Sequence, residues 1–195
     1  MSGDSNPSGQ LPTGDFLPGK AIGDEAKDKV QIKSYDRSYQ MFPPIQVAQM
    51  EHLAAAKKLA DKHKYELGFI NRAILRKAIE FRSLLVAPCP SVDSDSDTEL
   101  ELAGMVHYYV RQDSTVTLCN IVVAQAYRRR GLGRRLFEEL VHSACSLGKT
   151  QIRLKCPADL PANLFYERLG LRILAVEPGK HRTLNVWGYT IDDQS

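Results

Sequence analysis

Hydrophobic and polar positions alternate along this chain with a period that keeps changing, and the sharpest change falls between Thr115 and Gly148. Val116 to Val123 is a run of apolar and β-branched residues, the composition of a mostly buried strand. From Leu132 the period becomes four: Leu132, Leu136, Leu140 and Ala144, with Phe137 and Val141 alongside, form the stripe of an amphipathic helix that Gly148 ends. Gln151 to Cys156 then alternates, placing Ile152, Leu154 and Cys156 on one face of a strand. Leu171–Val176 and Thr183–Ile191 read as two further strands around a turn at Pro178-Gly179-Lys180.

Upstream, Pro43-Pro44 precedes a helical pattern from Ile45 to His63, with Val47, Met50, Leu53, Ala54 and Ala60 as its apolar positions. Leu67 to Ile70 is a short apolar connection, and Asn71 reads as the N-cap of a second helix that buries Ala73, Ile74, Ala78 and Ile79. Ser83–Ala87 is a short strand closed by Pro88 and Pro90, and Glu99–Arg111 a longer one in which Gly104 marks a bulge. Between them, Ser91–Thr98 is polar and acidic but lacks the glycine and terminal glutamate of a calcium loop, so it reads as a solvated connection. Val30–Tyr35 alternates like an edge strand. Residues 1–28, dominated by Gly, Pro, Ser, Asp and Lys, cannot bury enough surface to offset chain entropy and read as a flexible tail to a domain spanning 29–195. The order of elements predicts a mixed α/β fold, a sheet of about six or seven strands flanked by about four helices.

Composition narrows the class without naming it. A chain of 195 residues, 43% hydrophobic and 25% charged, is an ordinary globular protein with one sizeable core. A net charge of +3 gives little support to nucleic-acid binding. Cys89, Cys119, Cys145 and Cys156 are widely spaced with no C-x-x-C pair, so free thiols are expected, with neither a zinc site nor a disulfide framework. No apolar run approaches the roughly 20 residues of a membrane span, and the N-terminus lacks the charged start and apolar stretch of a signal peptide. No membrane partner is expected, and the expected compartment is the cytoplasm.

The chemistry lies where strand gives way to helix. Arg128-Arg129-Arg130-Gly131-Leu132-Gly133 places two glycines and three arginines at a helix start. The first backbone N–H groups of a helix have no partner within it, and its dipole adds positive charge there, so the turn is an anion site fit for a phosphate or pyrophosphate. It is neither a Walker loop nor a dinucleotide fingerprint, since no Lys-Ser/Thr follows and position 136 is leucine. Its pattern is R-x-x-G-x-G, and Tyr166-Glu167-Arg168-Leu169-Gly170-Leu171 follows after the strand at 151–156.

These two motifs, in this order and separation, resemble those of the GNAT superfamily of N-acetyltransferases over roughly Leu67 to Ile191. The resemblance implies a GNAT-like fold and transfer of an acetyl group from acetyl-CoA to a primary amine by direct attack in a ternary complex. Backbone groups near Arg129, Arg130, Gly131, Leu132, Gly133 and Arg134, with the side chain of Arg128, would hold the pyrophosphate. Ile121, Val122 and Val123 would pair with the pantetheine arm, one of their N–H groups facing the thioester oxygen. Tyr166 would act as the acid toward the leaving thiolate, and Asn163 would contact the cofactor. Glu66, Phe69 and Ile70 would border the acceptor cleft, with Trp187 a further candidate lining residue.

The sequence departs from the family pattern twice. Asp159 stands seven positions before Tyr166, where asparagine is common, and Thr117, Cys119 and Asn120 occupy the strand region where many members carry a glutamate base. His107, Tyr108 and Glu66 are the remaining candidates for the base, and Cys119 as a nucleophile has no His–Asp partner in view. A small-molecule or peptide amine is the expected partner, with the protein a monomer or homodimer. Two rival readings stand beside the enzyme: a coenzyme A-binding protein of the same fold without catalysis, and a nucleic-acid-binding protein using the basic run Arg128–Arg135.

Overall fold

The computed structural model describes residues 44–89 and 100–191. The expected strand at Val30–Tyr35, the tail at 1–28 and the acidic connection at Ser91–Thr98 lie outside the described residues. Seven strands are described: β1 (Gln46–Val47), β2 (Leu84–Pro88), β3 (Leu102–Val110), β4 (Thr115–Val123), β5 (Gln151–Pro157), β6 (Arg172–Pro178) and β7 (Thr183–Thr190). They form one sheet in the order β1-β2-β3-β4-β5-β7-β6. Every pairing is antiparallel except that of β4 with β5. Five α-helices accompany the sheet among the described residues: α1 (Leu53–Lys62), α2 (Lys64–Leu67), α3 (Arg72–Glu80), α4 (Leu132–Ser146) and α5 (Ala162–Arg168).

Two apolar clusters sandwich the sheet. On one face α4 buries the predicted stripe, Leu132, Leu136, Leu140 and Ala144 with Phe137, against Val106 and Tyr108 of β3, Val116 and Leu118 of β4, and Ile152 and Leu154 of β5. On the other face Leu53, Ala56 and Leu59 of α1 and Leu75, Ala78 and Ile79 of α3 pack on Leu84 and Val86 of β2, Met105 of β3 and Val122 of β4. This is the mixed α/β architecture expected from the sequence, and the alternation at Ile152, Leu154 and Cys156 is buried as expected.

Three local readings are corrected. The helix expected from Ile45 starts later: Gln46 and Val47 pair with Val86 and Leu85 as a short edge strand. A 3-10 turn at Met50–His52 follows, and buried His52 marks this corner by accepting the Gln49 N–H on Nδ1 at 2.9 Å. Asn71 does cap α3, its Oδ1 accepting the Ile74 N–H at 2.8 Å, but Ala73 and Ile74 are exposed and Leu75 takes the buried place beside Ala78 and Ile79. At Gly104 the extra residue is its neighbour. Ala87 pairs with Gly104 and Pro88 with Leu102, which leaves Ala103 as the bulge. Gly104 is instead required by crowding, because a Cβ there would lie 2.8 Å from Leu136 Cδ1 and 2.9 Å from the Val122 carbonyl oxygen.

Candidate active site

The site begins where the sheet divides. β4 and β5 run side by side but pair only at Thr115↔Gln151, Val116↔Ile152 and Thr117↔Arg153. Beyond Thr117, β4 continues against β3 alone and β5 against β7 alone. Two residues past the last pair, β4 carries a bulge: His107 faces Asn120 and Tyr108 faces Leu118, which leaves Cys119 over. A bulge bends and twists the strand that bears it. From Leu118 to Val123, β4 therefore presents toward β5 an edge with no strand partner among the described residues. Backbone N–H and C=O groups require partners, and such an edge accepts an extended ligand much as it would accept a strand. Ile121, Val122 and Val123 lie on this stretch, with Val122 buried on the α1–α3 side and Ile121 and Val123 packed toward α4.

The edge leads into the basic turn. After a 3-10 turn at Gln125–Tyr127 the chain passes through Arg128–Arg130 to Gly131, which caps α4 at φ 86° with no side-chain bond to the helix amides. The first amides of this 15-residue helix thus keep the orphan donors and the dipole field of an anion site. Arg129 also holds a left-handed φ, 62°, which costs a non-glycine residue energy and is characteristic of functional loops. The two glycines have different reasons. A Cβ on Gly131 would meet nothing within 4 Å, so that residue is set by its backbone angle; one on Gly133 would lie 3.1 Å from Phe165 Cε2, so that residue lets α5 pack on the first turn of α4.

The side chains of the loop do not all face this turn. Arg128, expected on the pyrophosphate, points the other way: its Nε donates to the Val123 carbonyl at 3.0 Å and its guanidinium forks onto Glu66 of α2 at 3.3 and 2.7 Å. Nη2 also donates to His63 Nδ1 at 3.0 Å. Arg134 donates to the Arg168 carbonyl at 3.1 Å, tying α4 to the end of α5. Leu132 is buried in the core, so its backbone alone can face a ligand, while Arg129 and Arg130 are exposed. Arg128 and Arg134 are thus tied to the protein, while Arg129 and Arg130 face outward.

Asn163 is likewise taken up by the protein. Its Nδ2 donates to the carbonyls of Pro157 and Leu160 at 2.8 Å and of Ala158 at 3.3 Å. Its Oδ1 accepts from Trp187 Nε1 at 2.9 Å and from Asn185 Nδ2 at 3.1 Å. With the amide so engaged, Asn163 pins α5 to the end of β5 and to β7, and a cofactor contact through this side chain is not what the geometry provides. Trp187 is buried in the core beneath it. The loop P-A-D-L-P-A-N carries a signal for the local bonds, since asparagine commonly closes turns onto nearby backbone. No sequence pattern marks the bond to Trp187.

Tyr166 follows one helical turn later, half-buried between Phe165 and Trp187, with ring centroids at 5.5 and 6.2 Å. Among the described residues its hydroxyl has no hydrogen-bond partner. Burial, and then the nearby Cys156, hold the phenol well above the usual tyrosine range. It is thus a proton-bearing donor throughout the physiological range.

Of the candidate bases, two are occupied. Tyr108 lies in the α4-side core with its hydroxyl on the Arg82 carbonyl at 3.1 Å. Glu66 is held by Arg128, whose hydrogen bonds lower its carboxyl below the ordinary range. His107 differs: its Nδ1 is buried with no hydrogen-bond partner among the described residues, and burial lowers its ring below the ordinary histidine value, so it is neutral at pH 7. It shares a strand face with Met105, the α1–α3 side, while Tyr166 packs on the α4 side. The Cys119 thiol is exposed, yet desolvation raises it above the ordinary thiol range, and its Sγ donates to the Thr117 carbonyl at 3.7 Å. Nothing there activates a nucleophile. Among the described residues no cluster of His, Cys, Asp or Glu could hold a metal, and no helix is long and apolar enough to cross a membrane.

A sheet parted at its parallel seam above an uncapped helix start is the framework of an acetyltransferase domain. The model of the GNAT acetyltransferase family matches residues 60–171, and the chain belongs to that family. Among solved structures it is similar to Ard1 of Thermoplasma volcanium at a TM-score of 0.64 and 14% identity, covering 76% of this chain and 97% of that one. The ribosomal-protein-S18-alanine N-acetyltransferase of Escherichia coli superposes at 0.60 with 20% identity, over 78% and 96% of the two chains. An aminoglycoside 6'-N-acetyltransferase complexed with coenzyme A superposes at 0.61 with 17% identity, over 78% and 99%. No curated protein matches the sequence significantly.

Proposed function

We propose that this protein transfers an acetyl group from acetyl-CoA to a primary amine, by direct attack of the amine on the thioester within a ternary complex. The observation that carries the reading is the parting of β4 from β5 above the N-terminus of α4, which supplies an extended edge continuous with an anion site. The pantetheine arm would lie along Leu118–Val123 and the pyrophosphate at the amides following Gly131, with Arg129, Arg130 and Arg134 adding charge. The known coenzyme A complex of the similar aminoglycoside acetyltransferase supports acetyl-CoA as the donor.

The reaction forms a C–N bond and breaks a C–S bond; the amine gives one proton to a base, and the departing thiolate takes one from solvent once it has left. A backbone N–H of Ile121–Val123 would stabilise the charge that builds on the thioester oxygen. Tyr166 would donate a hydrogen bond to the sulfur. Because its phenol holds its proton more firmly than a thiol does, it stabilises the thiolate rather than surrendering the proton outright. His107, neutral and on β3 opposite Asn120, on the α1–α3 face one strand from the split, would receive the amine proton. Donor and acceptor would then approach from opposite faces of the sheet.

Isothermal titration with acetyl-CoA tests the reading directly. Wild type is expected to bind and Gly131→Glu, which adds bulk and negative charge at the helix start, is expected not to. A panel of small amines and peptide N-termini then reads turnover. Binding without turnover on every amine would leave a coenzyme A-binding protein, and no binding at all would remove the acetyltransferase reading.

A further inference from the structure

The helix α2 is four residues long and buries none of them. It ends at Gly68, whose φ of 77° turns the chain toward α3. Leu67 packs partly buried on the α1–α3 cluster and Ile70 is buried in it, while the polar side chains of α2 are held from outside that cluster. His63, its N-terminal neighbour, and Glu66 both meet Arg128, which follows the end of β4. Arg128 is itself fixed from behind, because its Nε is bonded to the Val123 carbonyl. A guanidinium with one edge on a strand end and its fork on a carboxylate is a rigid two-sided connector. Since arginine only donates, His63 Nδ1 must accept, and the imidazole keeps its proton on the other nitrogen.

We propose that Glu66 and His63 form with Arg128 a latch that sets α2 against the donor loop, so that occupancy of the loop and ordering of residues 63–71 are energetically coupled. This rests on the reading that acetyl-CoA binds at the loop. The segment so held carries Tyr65, 87% exposed, and Phe69, 78% exposed, two aromatic rings with no core to occupy. Lys64 and Lys57 lie over these rings at 5.1 and 5.6 Å. The latch thus joins the segment that carries these two exposed rings to the loop that follows β4. Glu66 acts here as a positioning residue, through Arg128.

The test pairs titration with hydrogen exchange, using coenzyme A as the probe. In wild type, coenzyme A is expected to bind and to slow amide exchange across residues 64–71. Glu66→Gln is expected to bind about fivefold more weakly, at the low end of coupling between sites, and to lose that slowing. Arg128→Lys, which keeps the charge but cannot fork, should behave the same way. Thermal melts of both variants within a few degrees of wild type would exclude general unfolding as the cause. If wild type binds without any change in 64–71, or Glu66→Gln binds and protects as wild type does, the latch is wrong. Tighter binding by Glu66→Gln would also overturn it, since Glu66 would then compete with the ligand for Arg128. Failure of wild type to bind coenzyme A at all would instead sink the proposed function.

Discussion

The indole N–H of Trp187 donates to Oδ1 of Asn163 at 2.9 Å, joining a core residue of β7 to the helix that carries Tyr166. Three carbonyls and the amide of Asn185 complete the bonding of Asn163. Removing that side chain strands the Trp187 N–H and several turn carbonyls together. Asn163→Ala is expected to cost about 2–4 kcal/mol, from several lost bonds of about 1 kcal/mol each and a stranded buried donor. The melting temperature should fall by roughly 4–16 °C. An unchanged melt with lost coenzyme A affinity would make Asn163 a ligand instead.

Tyr166→Phe removes the hydroxyl and keeps the ring packed between Phe165 and Trp187. Under the proposed chemistry kcat should fall by about 10²-fold, the low end of what one charge-stabilising donor contributes, with little change in donor affinity. A fall in donor affinity with unchanged kcat would contradict the role.

His107→Gln is expected to lower kcat/KM near neutral pH and to remove its acid limb. In wild type the neutral imidazole is the active form, so activity should decline as pH falls below 6.5, the ordinary histidine value from which the ring is lowered. A wild-type limb that survives in the variant would belong to another group.

The same two groups bound stability on opposite sides. The folded state resists protonating His107, so below pH about 6.5 the unfolded chain binds more protons and stability falls as pH falls. Tyr166 is raised, so above pH about 10 the unfolded chain loses its proton first and stability falls as pH rises. Denaturant midpoints across pH should show the alkaline loss shrink in Tyr166→Phe and the acid loss shrink in His107→Gln.

Gly104→Ala should destabilise by about 1–3 kcal/mol, as overpacking does, because the new methyl meets both Leu136 and a strand carbonyl that cannot rotate away. Leu136→Ala in the same chain would relieve half of that clash. A measurable recovery of the double variant over Leu136→Ala plus Gly104→Ala summed is therefore expected from a double-mutant cycle.

Much of this was legible in the chain because it is local. The period of α4, the alternation of β5, the cap at Asn71 and the glycines at 131 and 133 are short-range signals that the fold has no reason to override. The contacts that were not legible are those between distant segments. Arg128 reads as an anion ligand in isolation, and only folding brings Glu66, 62 residues earlier, to its fork. Asn163 reads as a cofactor contact until β7 delivers Trp187. The start of α1 escapes the sequence for a related reason: Gln46–Val47 suits helix or strand by composition, and the available edge of β2 decides for the strand.

The short seam between β4 and β5 sets an opposition within the fold. Three residue pairs join the two halves of the sheet, with Val116 and Ile152 fully buried at their centre. A variant whose β4 straightened and zipped further onto β5 would gain ladder bonds and resist heat better. It would also close the edge from Leu118 to Val123. Directed evolution for thermal tolerance alone should therefore drift toward a sealed sheet without the open edge, and the bulge at Cys119 is the position at which that drift would first be seen.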